Sequence, residues 1–256
     1  DRQNAQADQS NLQNIAQRFV SAKMDLICAI ATPAAQTMAN ATHDIPIVGT
    51  AITDYEGAKL VASNKEPKGN VTGTSDMNPV KEQIDLLLKI KPDAKTIGTV
   101  YCSSEVNSEV QVKAMKEYAE SKGLTVKVAT ISTVNDIQQA AQSLIGSVDA
   151  FYEPTDNIIA SAMPTLIDIT NAAKVPVICG EPNMVKAGGL ATYGIDYYKL
   201  GVQTGHMAAD ILEGKKPASM PIEMAKDLKV TINKANAALL GITFPEDVLK
   251  DADVIE

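Results

Sequence analysis

The sequence predicts an α/β protein of two lobes, each a parallel sheet flanked by helices. Three observations carry that expectation. Short apolar, β-branched runs begin about every 25 residues and alternate with longer helical stretches, the rhythm of βα units. The runs are continuously apolar more than alternating, which suits strands covered on both faces. Eight such runs make a wide sheet for one small domain, and a polar, glycine- and proline-containing break in "GNVTGTSDMNP" reads as a crossing between lobes.

The strand candidates are residues 25–31, 46–51, 70–74, 96–101, 125–130, 149–152, 176–179 and 189–192. Helical spacing links Val80, Ile84, Leu87 and Leu88, and again Ile158, Ala162, Leu166 and Ile169. The first helix pattern is Leu12, Ile15, Ala16 and Phe19, with Ser10 as its cap candidate. Residues 1–6 fit the tail of a preceding strand. Further crossings are expected in "ATYGIDYYKLG", where a strand runs through Gly194 into a long helix ending at Gly214, and in "PASMPIEMAKDLKV". The expected lobes are 1–76 with 194–222, and 77–193 with 223–256.

Composition narrows the function. A chain of 256 residues with 45% apolar and 21% charged residues is ordinary for a globular protein. A net charge of −8 argues against nucleic acid, whose phosphates need a basic surface. No apolar run reaches the ~18–20 residues that span a bilayer. The three cysteines, Cys28, Cys102 and Cys179, have no metal or redox spacing and end apolar runs, so buried free thiols are expected. The two histidines, His43 and His206, lie far apart, which disfavours a zinc site or a triad. No phosphate-binding glycine motif and no nucleophile elbow occurs, so neither a catalytic site nor a cofactor is expected.

In open α/β sheets ligands bind beyond the carboxyl ends of the strands. "AIATPAAQ" runs a strand straight into a helix start: Thr32 reads as its N-cap, Pro33 as its first residue, and the small Ala34 and Ala35 leave the first N–H groups approachable. Such a terminus attracts a carboxylate. Thr53 and Ser75 add hydroxyls at neighbouring strand ends; elsewhere Asp156, Glu181 and Asp196 offer carboxylates, with Thr155 and Asn157 beside them. Asp156 and Asp196 could equally be helix caps, and Glu181 a first-turn residue. Six tyrosines, 55, 101, 152, 193, 197 and 198, fall at or just past strand ends, Tyr101 directly so. Together these groups suit a zwitterion with an apolar side chain, held without chemistry.

The phrases "DLICAIATPAAQ", "DIPIVGTAITD", "GNVTGTSDMNPVKEQIDLL", "VDAFYEPTDNIIASAM" and "LATYGIDYYKLGVQTGHMAADIL" resemble ABC-transporter substrate-binding proteins of the tryptophan/tyrosine-binding type, a branch of the type I periplasmic-binding-protein fold. The resemblance implies two lobes closing over an amino acid, aromatic by preference, in an interlobe cleft. It implies an extracytoplasmic, lipid-anchored protein that serves an ABC permease and touches the membrane only through that anchor. In related amino-acid binders the positions of Thr32 and Thr53 hold the ligand's carboxylate and amine, and that of Glu181 the amine. Family members usually begin with a strand, a helix and a second strand ahead of the equivalent of Asp1, including a loop that lines the cleft and the lipidation cysteine. The alternative reading is a ligand-sensing domain of the same fold in a regulatory protein.

Overall fold

The computed structural model describes all 256 residues. Three crossings, at 77/78, 195/196 and 227/228, divide the chain into two compact units. The first unit begins with α1 (Gln9–Ser21), β1 (Ile27–Ile30), α2 (Thr32–Ala41), β2 (Ile47–Ile52) and β3 (Val71–Ser75). The second holds α3 (Val80–Ile90), β4 (Thr96–Cys102), α4 (Val106–Ser121), β5 (Thr125–Ile131), α5 (Ile137–Leu144), β6 (Ala150–Glu153), α6 (Asn157–Ser161), α7 (Met163–Ala172), β7 (Val177–Cys179), α8 (Pro182–Lys186) and β8 (Ala191–Ile195). The chain returns to the first unit for α9 (Tyr197–Leu212) and β9 (Glu223–Met224). It ends in the second with β10 (Leu228–Asn233), α10 (Lys234–Leu240), α11 (Glu246–Leu249) and β11 (Asp253–Ile255).

The first unit's sheet has the order β1-β2-β3-β9, all parallel. One face buries Ile27, Ala29, Ile47 and Ile52 against Ala16, Ala35 and Met38 of α1 and α2. The other packs Val48 against Met207 and Ile211 of α9. The second unit's sheet runs β11-β10-β8-β7-β6-β4-β5 and is parallel except where β8 meets β10. Its two faces carry separate cores, one centred on Ile84, Leu87, Ile97 and Met115, the other on Phe151, Ile159, Leu166 and Val177. Burial of such side chains, at about 25 cal/mol per Å², is what drives each sheet to acquire helices on both faces.

The eight expected strands all exist, with ends displaced by at most three residues; the last is Ala191–Ile195, not 189–192. Three strands were not foreseen. β9 has two residues, too few for a periodicity, and β10 and β11 lie beyond the apolar rhythm in a segment that pairs by tertiary contact. Residues 1–6 form no strand. Asp8, not Ser10, caps α1, its carboxylate accepting from Asn11 N at 2.7 Å. The expectation of two covered faces fails at the sheet edges: on β1, Ile30 is 67% exposed and Cys28 is exposed with it. Only Cys102 and Cys179 are the buried thiols expected of all three. Two of the six strand-end tyrosines are core residues, Tyr55 and Tyr152 being fully buried.

Tyr55 explains two glycines. Gly49 and Gly73 are register partners on β2 and β3, and the Tyr55 hydroxyl lies against both while donating to Thr74 O at 3.0 Å. Gly73 has φ +151°, and a Cβ there would run into Gly49 O and lie 2.6 Å from Gly49 N. Gly73→Ala should therefore cost about 2–4 kcal/mol, read as a drop in the urea midpoint at unchanged slope. A variant as stable as the parent would show that the β2–β3 junction yields freely.

Candidate functional site

In the first unit the carboxyl ends of β1, β2 and β3 stand side by side, neighbouring strands of one sheet being about 4.8 Å apart. β1 passes into α2 through Ala31, whose φ of 75° and ψ of 154° are unusual for a residue with a Cβ. Ala31, not Thr32, occupies the cap position, and no side chain caps the helix. Thr32 is instead the first helical residue, 2% exposed, and its hydroxyl has no hydrogen-bond partner. The reason is geometric: a capping hydroxyl must precede the first turn, and the left-handed turn at Ala31 carries Thr32 into it. Pro33 lies in the first turn as expected, and Ala34 beside it is half-buried.

At the end of β2, Ala51 has φ 53° at a register shift against β3. This turn brings Thr53 to Asp76, with Thr53 Oγ1 donating to Asp76 Oδ1 over 3.4 Å. Ser75 Oγ donates to Thr53 O at 2.8 Å and accepts from Met77 N at 3.1 Å, so it ties the two strand ends together. Tyr197, at the start of α9, donates its hydroxyl to Asp76 Oδ2 at 2.7 Å. Burial pushes the Asp76 carboxyl above its ordinary range, against the lowering effect of these donors. Asp196 caps α9 by accepting from Lys199 N at 3.1 Å, and its own N–H donates to Asp227 O at 3.2 Å.

The second unit builds a denser network at the ends of β4, β6 and β7. Asp156 is fully buried and caps α6 through Ile159 N at 2.9 Å; it also accepts from Cys102 N and Ser108 Oγ, each at 2.7 Å. Glu181 caps α8, accepting from Asn183 N at 2.8 Å and Met184 N at 2.9 Å. Asn157 is held by Glu105, which takes both its backbone N–H at 3.0 Å and its side-chain amide at 2.7 Å. Thr155 is clasped by Gln111, whose amide donates to Thr155 Oγ1 at 2.6 Å and whose carbonyl accepts from Thr155 N at 3.1 Å. Tyr101 is half-buried and packs on the α3–α4 side of the core.

The expected residues thus fall into two groups. Thr32, Ala34, Thr53, Ser75 and Asp196 belong to the first unit, and Tyr101, Thr155, Asp156, Asn157 and Glu181 to the second. Asp156, Glu181 and Asp196 all cap helices; for Asp156 and Asp196 this is the cap role weighed from the sequence, while Glu181 is the cap itself and not a first-turn residue. The positioning residues Gln83 and Gln111 were missed. Gln83 donates to Gly180 O at 3.0 Å and Tyr193 O at 2.9 Å and accepts from Tyr152 Oη at 2.9 Å. The signal was present: Gln83 interrupts the apolar stripe Val80, Ile84, Leu87, and Gln111 the stripe of Val112 and Met115. A polar residue inside a buried stripe needs partners.

The family model for "ABC transporter substrate binding protein" matches residues 1–255. A tyrosine-binding protein of Clostridioides difficile is 45% identical over 234 residues, 91% of this chain and 68% of its own length. The crystal structure of an ABC domain from Streptococcus pneumonia in complex with L-Trp is 45% identical, with a TM-score of 0.93 over 97% of this chain and 86% of that one. A conserved domain protein from Vibrio cholerae is 40% identical, with a TM-score of 0.96 over 99% of this chain and 86% of that one. The fold shared with such neighbours is the type I periplasmic-binding-protein fold.

Glu153, at the end of β6, gives a pH test. It is fully buried, accepts from Val100 N at 3.1 Å with one oxygen, and has no partner for the other. Burial, then the Asp156 charge, pushes its carboxyl well above its ordinary 4.5. A raised carboxyl contributes stability that is fully present below the unfolded value and is lost as pH rises through the folded one. The parent should therefore lose stability relative to Glu153→Gln between pH 5 and pH 8, at up to about 1.4 kcal/mol per pH unit. Urea midpoints whose difference stays constant across that range would refute a buried neutral Glu153.

Proposed function

Because the chain belongs to the ABC transporter substrate binding protein family, matched over residues 1–255, we propose that it is the extracytoplasmic binding component of an importer, taking up an aromatic amino acid and delivering it to a permease. The observation that carries this reading is the 45% identity, over 97% of this chain, with the domain whose structure contains L-Trp. The tyrosine-binding relative, also 45% identical, supports the same ligand class.

In this reading the ligand is bound at the strand ends of the first unit. Its carboxylate meets the first turn of α2, with the N–H of Ala34 and the hydroxyl of Thr32 as donors and Thr53 beside them. Two features favour that assignment: α2 has no capping side chain, and the Thr32 hydroxyl is buried without a partner. A helix start with free donors and an unpaired hydroxyl is an anion site. Within the second unit, Gln111 and Glu105 hold Thr155 and Asn157 in place. Three or four charge-assisted hydrogen bonds, each worth about 1.5–3 kcal/mol, would cover most of the ~8 kcal/mol of a micromolar site.

A thermal-shift series across the amino acids tests the ligand class. L-Tyr or L-Trp at 100 times its dissociation constant should add about 2.7 kcal/mol of stability, with little effect from charged amino acids. A flat response across the series would sink the assignment. Thr32→Val tests the carboxylate anchor. It removes an unpaired buried hydroxyl at nearly constant shape, so the ligand-free protein should keep its stability within about 1 kcal/mol or gain slightly, while affinity falls on the order of tenfold. Unchanged affinity would remove Thr32 from the site.

A further inference from the structure

The face of the first unit's sheet that meets α9 is held in two different ways. Toward the end of α9, Met207 and Ile211 pack with Val48 and Met220 in a small apolar cluster. Toward its start the buried residues are Leu200 and Thr204, and here hydroxyls join the helix to the sheet. Thr204 Oγ1 lies 2.7 Å from Thr74 Oγ1 of β3, which donates to Thr50 Oγ1 of β2 at 3.2 Å. Thr204 also donates to Leu200 O at 2.8 Å, one turn back along its own helix. Thr74 is fully buried and Thr204 is 6% exposed, and a buried hydroxyl without a partner is costly, so this pair fixes the register of helix against strand. An apolar contact alone fixes no such register, because burial is non-directional.

α9 is bonded to the end of β3 a second time. Two helical turns before Thr204, Tyr197 donates its hydroxyl at 2.7 Å to Asp76, which lies just past Thr74 and Ser75. Asp76 in turn accepts from Thr53, the hydroxyl set beside the ligand carboxylate above. Thr74 O accepts from Tyr55 at 3.0 Å, so the inner end of this clamp rests on the core. We infer that Thr204 is a positioning residue of the amino-acid site: through Thr74 it fixes where α9 begins, and so where Tyr197 holds the strand end beside Thr53. The inference rests on the amino-acid reading above and deepens it, adding a residue outside the row of strand ends. Thr72, earlier on β3, gives the contrast. Its hydroxyl is fully buried too and donates to Met220 O at 2.7 Å, so it secures the segment after α9 instead of its start.

Calorimetry with L-tryptophan tests the role. Thr204→Val keeps the shape and removes the hydroxyl; affinity should fall on the order of tenfold, and Thr204→Ser should restore it to within about twofold. Thr72→Val removes a buried hydroxyl from the same strand and should leave affinity within about twofold, whatever it does to the urea midpoint. Because Thr204 acts through Tyr197, the two are coupled: in a Tyr197→Phe background Thr204→Val should cost no further affinity. Unchanged affinity in Thr204→Val, equal losses from Thr204→Val and Thr72→Val, no recovery in Thr204→Ser, or losses that simply add in the double variant would each overturn the role. If Thr204→Val does not fold, Thr74→Val breaks the same contact from the strand side and decides by the same criteria. Failure of the parent to bind any amino acid overturns the amino-acid reading and the positioning role with it. A parent that binds L-tryptophan, with Thr204→Val binding it equally well, overturns the positioning role alone.

Discussion

A parallel strand that ends in a helix delivers the chain to a place where backbone N–H groups have no partner within the helix. This chain meets that constraint repeatedly, and how each junction meets it shapes the rest. Asp156 after β6, Glu181 after β7 and Asp196 after β8 supply carboxylates to the waiting N–H groups. α2 after β1 is left without a side-chain cap, and the hydroxyl nearest to it is unpaired. A negative group is thus built in at three junctions, and at α2 none is. The three acid-capped junctions form a frame; α3 after β3 and α4 after β4 also lack a capping side chain, so what sets α2 apart is the unpaired buried hydroxyl of Thr32 in its first turn.

The frame is held from behind by uncharged side chains. Gln83 and Gln111 sit on buried helix faces and spend their amides on strand-end carbonyls and on Thr155. Both are fully buried, so each missing hydrogen bond would cost about 1–3 kcal/mol, and this fixes the geometry of the loops they hold. In the first unit the equivalent work is done by Tyr55, which fills the space above Gly49 and Gly73, and by Ser75, which bonds the ends of β2 and β3 to each other. Around these, Ala31 and Ala51 hold positive φ, at the start of α2 and at the register shift in β2. Backbone in sparsely populated regions is retained where the surroundings over-determine it, and it often accompanies binding sites.

Much of the site's neighbourhood was legible before the structure. The βα rhythm located all eight principal strands, because each is an apolar run bounded by breakers. The roles of the residues that follow them were less accessible. Thr32 reads as a cap in sequence, since Thr-Pro before a helix is a common cap pattern, but the turn at Ala31 moves it one position into the helix. Tyr55 and Tyr152 read as rim residues because they follow strands, yet both fold back into the core.

The sequence by itself determined the fold class and the family, because these depend on local periodicity and short-range patterns. The tertiary structure decided which acids hold helix starts and which does not. Asp76, Asp156, Glu181 and Asp196 are the same chemical type in the same kind of place; only the donors brought by other strands and helices tell them apart. It also decided where β9, β10 and β11 lie, since those strands exist through the partners they pair with and not through any pattern of their own. Hydrogen-bond accounting at buried carboxylates is a three-dimensional property, and here it separates the acids that hold helix starts from Asp76, which holds none.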